Sequence, residues 1–133
     1  DCCGYTITYN DKRFVLITDC GKITEEVSSR ALEADYLVLE SNYDPQMLET
    51  GPYPLHLRRR IACSTGHLSN TETAEFLRDN SFANLRQLFL CHLSENNNTH
   101  ELVDSAVSLA LQDKNVPYHI LDRRKVNGFF ELD

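Results

Sequence analysis

Short apolar runs, bounded by turn formers and spaced by helix-length stretches, constrain this chain more than any other feature. Tyr5 to Tyr9 reads Tyr-Thr-Ile-Thr-Tyr, the period-two pattern of a half-buried strand. Asn10-Asp11-Lys12 supplies a turn, and Arg13-Phe14-Val15-Leu16-Ile17-Thr18 returns as a second strand, giving a hairpin. This second run is apolar nearly throughout, as expected of a strand covered on both faces. Gly21 breaks it, and Thr24 caps a helix to about Ala34, with Glu25 and Glu26 in the favourable first turn. Tyr36-Leu37-Val38-Leu39 is the next strand, followed by a loop through Asn42, Asp44, Pro45 and Gly51-Pro52-Tyr53-Pro54. Leu55 to Cys63 reads as a helix with Leu57, Ile61 and Ala62 inward. Ser69-Asn70-Thr71-Glu72 is a capping box that opens a helix over Thr71 to Asp79. Leu85 to Cys91 is a strand, and Asn98-Thr99-His100-Glu101 opens a helix to about Lys114 with Leu102, Val103, Ala106, Leu109 and Ala110 on one face. Tyr118 to Leu121 and Gly128 to Leu132 close the chain as two short strands. The order ββαβ(α)αβαββ calls for an α/β fold, with helices over a mixed sheet.

Composition narrows the function classes. A length of 133 residues suits one domain able to bury a core. Hydrophobic residues at 41% and charged residues at 25% match an ordinary soluble globular protein, and no apolar run reaches the roughly 20 residues of a membrane span. The start, Asp1-Cys2-Cys3-Gly4, has no basic n-region or apolar h-region of a signal peptide, and the missing initiator Met suggests that something upstream was removed or left out. A formal charge of −7 excludes a cationic surface throughout, so any nucleic-acid contact is local. The five cysteines are odd in number and include no C-x-x-C, so neither a disulfide framework nor a zinc knuckle is indicated. Cys91 lies in an apolar run and reads as a buried thiol. A reducing cytoplasm is the expected compartment.

Three strands end alike: Val15-Leu16-Ile17-Thr18 runs into Asp19, Tyr36-Leu37-Val38-Leu39 into Glu40, and Leu88-Phe89-Leu90-Cys91 into His92. Ligands of open α/β sheets bind at the carboxyl ends of strands, where loops converge beside helix N-termini. An Asp, a Glu and a His at such an edge form a metal and proton-transfer constellation, although each alone also reads as a plain strand-end polar residue. His67-Leu68-Ser69-Asn70 and His92-Leu93-Ser94-Glu95 repeat one tripeptide, each expected just before a helix, where free N–H groups favour an anion. His56 and His119 read as surface or packing residues, and His100 as exposed in a first helical turn. Arg58-Arg59-Arg60 and Arg123-Arg124-Lys125 are either solvated faces or contacts to a nucleic-acid backbone. There is no G-x-S-x-G elbow, no Gly-rich phosphate loop, no H-E-x-x-H and no H-x-H.

Five strings occur in order: Thr18-Asp19-Cys20-Gly21, Leu39-Glu40-Ser41-Asn42-Tyr43-Asp44, Gly51-Pro52-Tyr53-Pro54, Gly66-His67-Leu68-Ser69-Asn70 and Cys91-His92-Leu93-Ser94-Glu95-Asn96-Asn97. Together they resemble the C-terminal half of the YycJ-like (WalJ-like) branch of the metallo-β-lactamase superfamily. The resemblance implies a cytoplasmic metal-dependent hydrolase, with exonuclease action on DNA the usual assignment. It implies that Asp19 bridges two divalent ions (zinc, manganese or iron) and that His92 is the final ligand of the second. It further implies that Glu40 orients His67, which donates a proton to the leaving oxygen; the ribonuclease Z branch shares that Glu-and-His arrangement. The His-x-His-x-Asp-His loop of the family's first half is absent, as is the histidine that follows it. The superfamily fold is an αββα sandwich in which each half supplies one sheet. The expectation is therefore a C-terminal half domain over residues 1–133, inactive alone, that pairs with its missing N-terminal half or a second copy of itself. The alternatives are an RNA-processing or small phosphodiester metallohydrolase, and a non-catalytic α/β binding module in which Asp19, His67 and His92 are incidental.

Overall fold

A computed structural model describes residues 4–133; Cys2 and Cys3 lie outside the described residues. Among the described residues, elements follow in the order β1 (Tyr5–Tyr9), β2 (Lys12–Ile17), α1 (Glu25–Leu32), β3 (Tyr36–Glu40), α2 (Pro45–Thr50), α3 (Leu55–Ile61), α4 (Asn70–Asp79), β4 (Gln87–Cys91), α5 (His100–Ala110) and β5 (Tyr118–Ile120). One five-stranded sheet has the strand order β1-β2-β3-β4-β5. The β1–β2 hairpin is antiparallel and the other pairings are parallel, so the sheet is mixed as expected. Asn10 and Asp11 both take positive φ at the hairpin tip, the requirement of a two-residue turn matched to strand twist.

Alternation divides the sheet into two faces. Val15, Ile17, Leu37, Leu39, Leu88 and Leu90 share one core with Ala31 of α1, Phe76 and Leu77 of α4, and Val103, Val107 and Ala110 of α5. Each of these side chains is withdrawn from water, a burial that stabilises by about 1.5–3 kcal/mol for a large aliphatic residue. The opposite face carries Tyr36, Val38 and Phe89, which are also buried. The tail after β5 covers part of it: Phe130 meets Phe89 edge-on at 4.9 Å, and the Tyr36 hydroxyl donates to the Asp133 carbonyl at 3.1 Å. The same face of β1 stays open, with Tyr5, Ile7 and Tyr9 at 61%, 59% and 76% exposure.

Several expectations are corrected. Gly128 to Leu132 is not a strand; it runs as irregular chain whose Phe130 packs across the sheet instead of pairing at its edge. The segment read as loop after Asn42 contains α2, because Asp44 accepts from Met47 N at 2.8 Å and Pro45 is pre-set for the first helical turn. The last helix stops at Ala110 rather than near Lys114, and the third helix stops at Ile61, with Leu57 and Ile61 only half-buried and Ala62 exposed. His92 is not followed directly by a helix, since turns intervene before α5. The caps at Thr24 and the Ser69–Glu72 box form as expected. Among the described residues, no helix is long and apolar enough to cross a membrane.

Gly21 sits where the chain leaves β2 and presses against the backbone of Cys63, Ser64 and Gly66 in the loop before α4. Any Cβ at Gly21 would overlap those backbone atoms, so the two loops approach this closely only because the side chain is absent. Gly21→Ala is expected to destabilise the chain by about 1–3 kcal/mol, the range for overpacking a close contact. Chemical denaturation checks this, and unchanged stability would show that the loops separate freely.

Candidate functional site

The carboxyl ends of β2, β3 and β4 lie side by side because the strands are parallel and in register, Ile17 beside Leu39 and Glu40 beside Cys91. The residues just past them, Asp19 and His92, and the last residue of β3, Glu40, therefore converge at one edge. Asp19 and His92 both adopt left-handed backbone, with φ of 53° and 59°. That conformation is uncommon for a residue with a Cβ and costs free energy, and such strain gathers where a side chain must be turned toward a site.

Glu40 is the centre of the arrangement. Its side chain is fully buried, a state that a carboxylate tolerates only when its charge is matched by donors. Four donors converge on it. His67 Nδ1 and His92 Nδ1 each donate to Oε1 at 2.7 Å. Cys20 N donates to Oε2 at 3.0 Å, and Leu68 N approaches the same oxygen at 3.5 Å. A ring nitrogen held against a buried carboxylate carries the proton, which leaves Nε2 of each imidazole as the atom free for a ligand or a proton. The two rings stand 5.2 Å apart, centroid to centroid, and are tilted by 53°. Asp19 completes the group at the surface, its Oδ1 3.7 Å from His67 Nδ1 and 3.8 Å from His92 Nε2. Asp19, His67 and His92 each offer one ligand atom within a 4.8 Å cluster.

A buried polar layer fixes this edge from below. Asn42 Nδ2 donates to the His92 carbonyl at 2.6 Å, bracing the left-handed turn. Ser41 Oγ donates to Asn70 Oδ1 at 2.7 Å, Asn70 and Asn98 exchange amide hydrogen bonds at 2.8 and 2.9 Å, and Asn98 Nδ2 also reaches the Ser41 carbonyl. Thr73 Oγ1 of α4 donates to the Glu40 carbonyl at 2.7 Å. Asn42 and Asn70 stand in the quoted strings Leu39-Glu40-Ser41-Asn42-Tyr43-Asp44 and Gly66-His67-Leu68-Ser69-Asn70, and Asn98 at the opening of α5, but the sequence assigned them no role in a site; their joint layer becomes legible only once the loops meet.

Electrostatics follow from Glu40. The hydrogen bond from His92 to Glu40 raises the His92 pKa above its ordinary value; partial burial opposes that rise, and the charges of Glu40 and Asp19 add to it. Cys91 is pushed up to about 12, first by burial and then by the same two carboxylates, so it is an unreactive thiol. His119 packs flat on Phe89 at 5.3 Å, a packing role, and His56 and His100 are exposed. All four residues singled out in the sequence, Asp19, Glu40, His67 and His92, thus meet at one edge. The sequence did not show that Glu40 holds both histidines alike.

Comparison with known proteins gives a consistent picture. The model of the beta-lactamase superfamily domain matches residues 1–93. Exodeoxyribonuclease YycJ of Bacillus anthracis is 34% identical over 110 residues, covering 83% of this chain and 42% of that protein. Exodeoxyribonuclease WalJ of Streptococcus pneumoniae is 36% identical over 98 residues, covering 74% of this chain and 36% of that protein. The chain therefore spans less than half the length of these curated relatives. Among solved structures, the metallo-beta-lactamase fold protein YhfI from Bacillus subtilis superposes with a TM-score of 0.60 at 17% identity, over 89% of this chain and 40% of that one. Zinc-bound PqqB from Methylobacterium extorquens gives 0.55 at 18%, again over 89% and 40%. At that identity the structural likeness concerns the fold alone.

Because His92 has its folded pKa raised above the unfolded value, its contribution to stability is fully present below the unfolded pKa and is lost as pH rises through the folded one. The metal-free chain is expected to lose stability over that window, and Glu40→Ala is expected to cost about 2–3 kcal/mol by stranding buried donors. Denaturation against pH, beside an NMR titration of His92, checks both. A His92 midpoint that does not fall in Glu40→Gln would contradict the assignment.

Proposed function

The chain belongs to the beta-lactamase superfamily, in its YycJ-like branch, and from that premise we propose that it carries part of the site of a metal-dependent phosphodiester hydrolase, an exonuclease acting on DNA. The observation that carries this reading is the buried Glu40 carboxylate holding Nδ1 of both His67 and His92 beside Asp19.

The donor set suits a divalent ion. A carboxylate oxygen and imidazole nitrogens are ligands that zinc, manganese and iron accept, and Glu40 accepts from the other nitrogen of each ring and so orients it. Asp19 and His92 would hold the ion, and it would supply Lewis-acid polarisation and charge neutralisation at the phosphodiester. His67 does proton work. Glu40 holds its ring by Nδ1, so a proton on Nε2 can pass to the leaving oxygen, which departs as an alcohol rather than an alkoxide. A positioned acid of this kind contributes roughly 10²–10⁴-fold in rate.

We propose further that the site is shared. Asp19 and His92 are two ligands, fewer than the three protein ligands of an open catalytic zinc site, and the chain matches less than half of its curated relatives. The open apolar face of β1 supports the same reading, since Tyr5, Ile7 and Tyr9 lie in water on a strand that otherwise alternates correctly. The covering partner is the N-terminal half of the same domain, carrying the His-x-His-x-Asp-His loop, or a second copy of the chain.

Metal content and cleavage of single- and double-stranded DNA, measured with and without a chain carrying that loop, test the proposal. The 133-residue chain alone is expected to bind zinc or manganese weakly and to cleave nothing. Reconstitution restores both, Asp19→Ala and His92→Ala abolish both, and His67→Ala keeps the metal while losing roughly 10²–10⁴-fold in rate. Cleavage by the pure chain would refute the shared site, metal uptake untouched by Asp19→Ala would refute the metal assignment, and RNA cleaved in preference to DNA would reassign the substrate.

A further inference from the structure

Directly beside the Glu40 cluster lies a cleft of about 240 Å³ whose polar lining is Asn42, Tyr53, His67, His92, Ser94 and Arg123. Every one of these side chains has an N–H or O–H to donate, and among the described residues no carboxylate lines the cleft. Glu40 and Asp19 stand behind its histidines and Glu95 lies 3.9 Å from Arg123, so what the cleft presents to a ligand is a lining of donors closed by a guanidinium. A donor-lined cleft with a positive wall fits an anion, and it opens on the two imidazoles of the hydrolytic site.

We infer that Arg123 is a substrate-positioning residue that grips a backbone phosphate of the nucleic acid next to the scissile one, with the Tyr53 and Ser94 hydroxyls as neutral donors. The inference rests on the phosphodiester reading above and adds the residue that holds the polymer. Arg123 follows β5 closely, so its backbone is tied to the sheet by Leu121 N donating to the Leu90 carbonyl at 2.8 Å. Its side chain is half exposed and only loosely engaged, Nη1 standing 3.9 Å from Glu95 Oε2. Glu95 is instead held by Arg124, which makes the closer ion pair. Arg123 is thus the guanidinium of the Arg123-Arg124-Lys125 cluster with its fork available, while Arg124 answers the nearest acid and Lys125 faces Asp122. Tyr53 is braced from behind: Asn96 Nδ2 donates to its oxygen at 2.9 Å, leaving the phenolic proton free to donate onward. A planar guanidinium takes a phosphate in a bidentate grip, and ammonium groups do so less specifically. An aromatic wall beside a cation is also how single strands are held without base-specific contacts.

The test separates this inference from the metal chemistry because it is run without metal. Binding of a fluorescein-labelled single-stranded DNA dodecamer to the full chain is followed by anisotropy in chelator across a salt series, with inorganic phosphate as competitor. Arg123→Ala is expected to weaken binding about tenfold and to lower the salt slope by about one phosphate contact, with Arg123→Lys recovering part of both. Arg30→Ala on α1, which removes the same charge elsewhere, is expected to bind as the unaltered chain does. Equal affinity and slope in Arg123→Ala, equal losses in Arg30→Ala, or no binding by the unaltered chain would each overturn the inference. Competition by inorganic phosphate at concentrations near those of the oligonucleotide would also overturn it, since a single free anion would then satisfy the cleft. None of these outcomes bears on whether Asp19 and His92 take up metal, so the two proposals fail separately.

Discussion

Everything at this edge depends on one buried carboxylate. An uncompensated charge in a protein interior costs several kcal/mol, so Glu40 can sit at the closed end of β3 only if the chain brings donors to it. Those donors come from three separate loops: Cys20 N after β2, Leu68 N and His67 before α4, and His92 after β4. The requirement acts in both directions. Glu40 recruits the loops, and the loops, once recruited, have their histidine rings held by Nδ1. A structural demand for charge compensation thereby leaves two imidazoles ordered beside an exposed acid.

The scaffold makes this convergence possible by pairing β2, β3 and β4 in parallel, so that three successive strands deliver their carboxyl ends to one line. Left-handed backbone at Asp19 and His92 accompanies the turns that bring Cys20 N and the His92 ring onto Glu40, and Gly21 lets two loops touch backbone to backbone. The Asn42, Asn70 and Asn98 layer locks these turns from beneath with reciprocal amide bonds. The sheet is unequal about this edge. One face is packed by helices, whereas the other is covered by the tail near Phe89 and left open on β1.

Much of the fold was legible in the sequence because the strands are short, apolar and punctuated. The helix caps at Thr24 and Ser69 carry their signal in single side chains and were readable for that reason. The α2 helix was not, since six residues between two turn-rich strings offer too little periodicity to stand out. Gly128 to Leu132 has the composition of a strand, but strand pairing is a tertiary property, and Phe130 finds a better partner in Phe89 and His119 than an edge would give it. At the site, Asp19, Glu40, His67 and His92 were legible from strand ends and a repeated tripeptide. What the residues alone did not reveal was which group answers which charge. The sharing of one Glu40 oxygen by two histidines, and the proximity of Arg123 from the far end of the chain, arise only from folding.

Glu40 holds both imidazoles by Nδ1, which leaves Nε2 of each for a ligand or a proton. Long-range proton–nitrogen NMR of the histidine rings, recorded in the metal-free chain at a pH above the His92 titration and again with zinc, tests it directly. The Nδ1–H tautomer is expected for His67 and His92 alike, with His92 Nε2 shifting on zinc addition and the fixed tautomers lost in Glu40→Ala. Finding Nε2–H at either ring, or the same tautomers without Glu40, would contradict it.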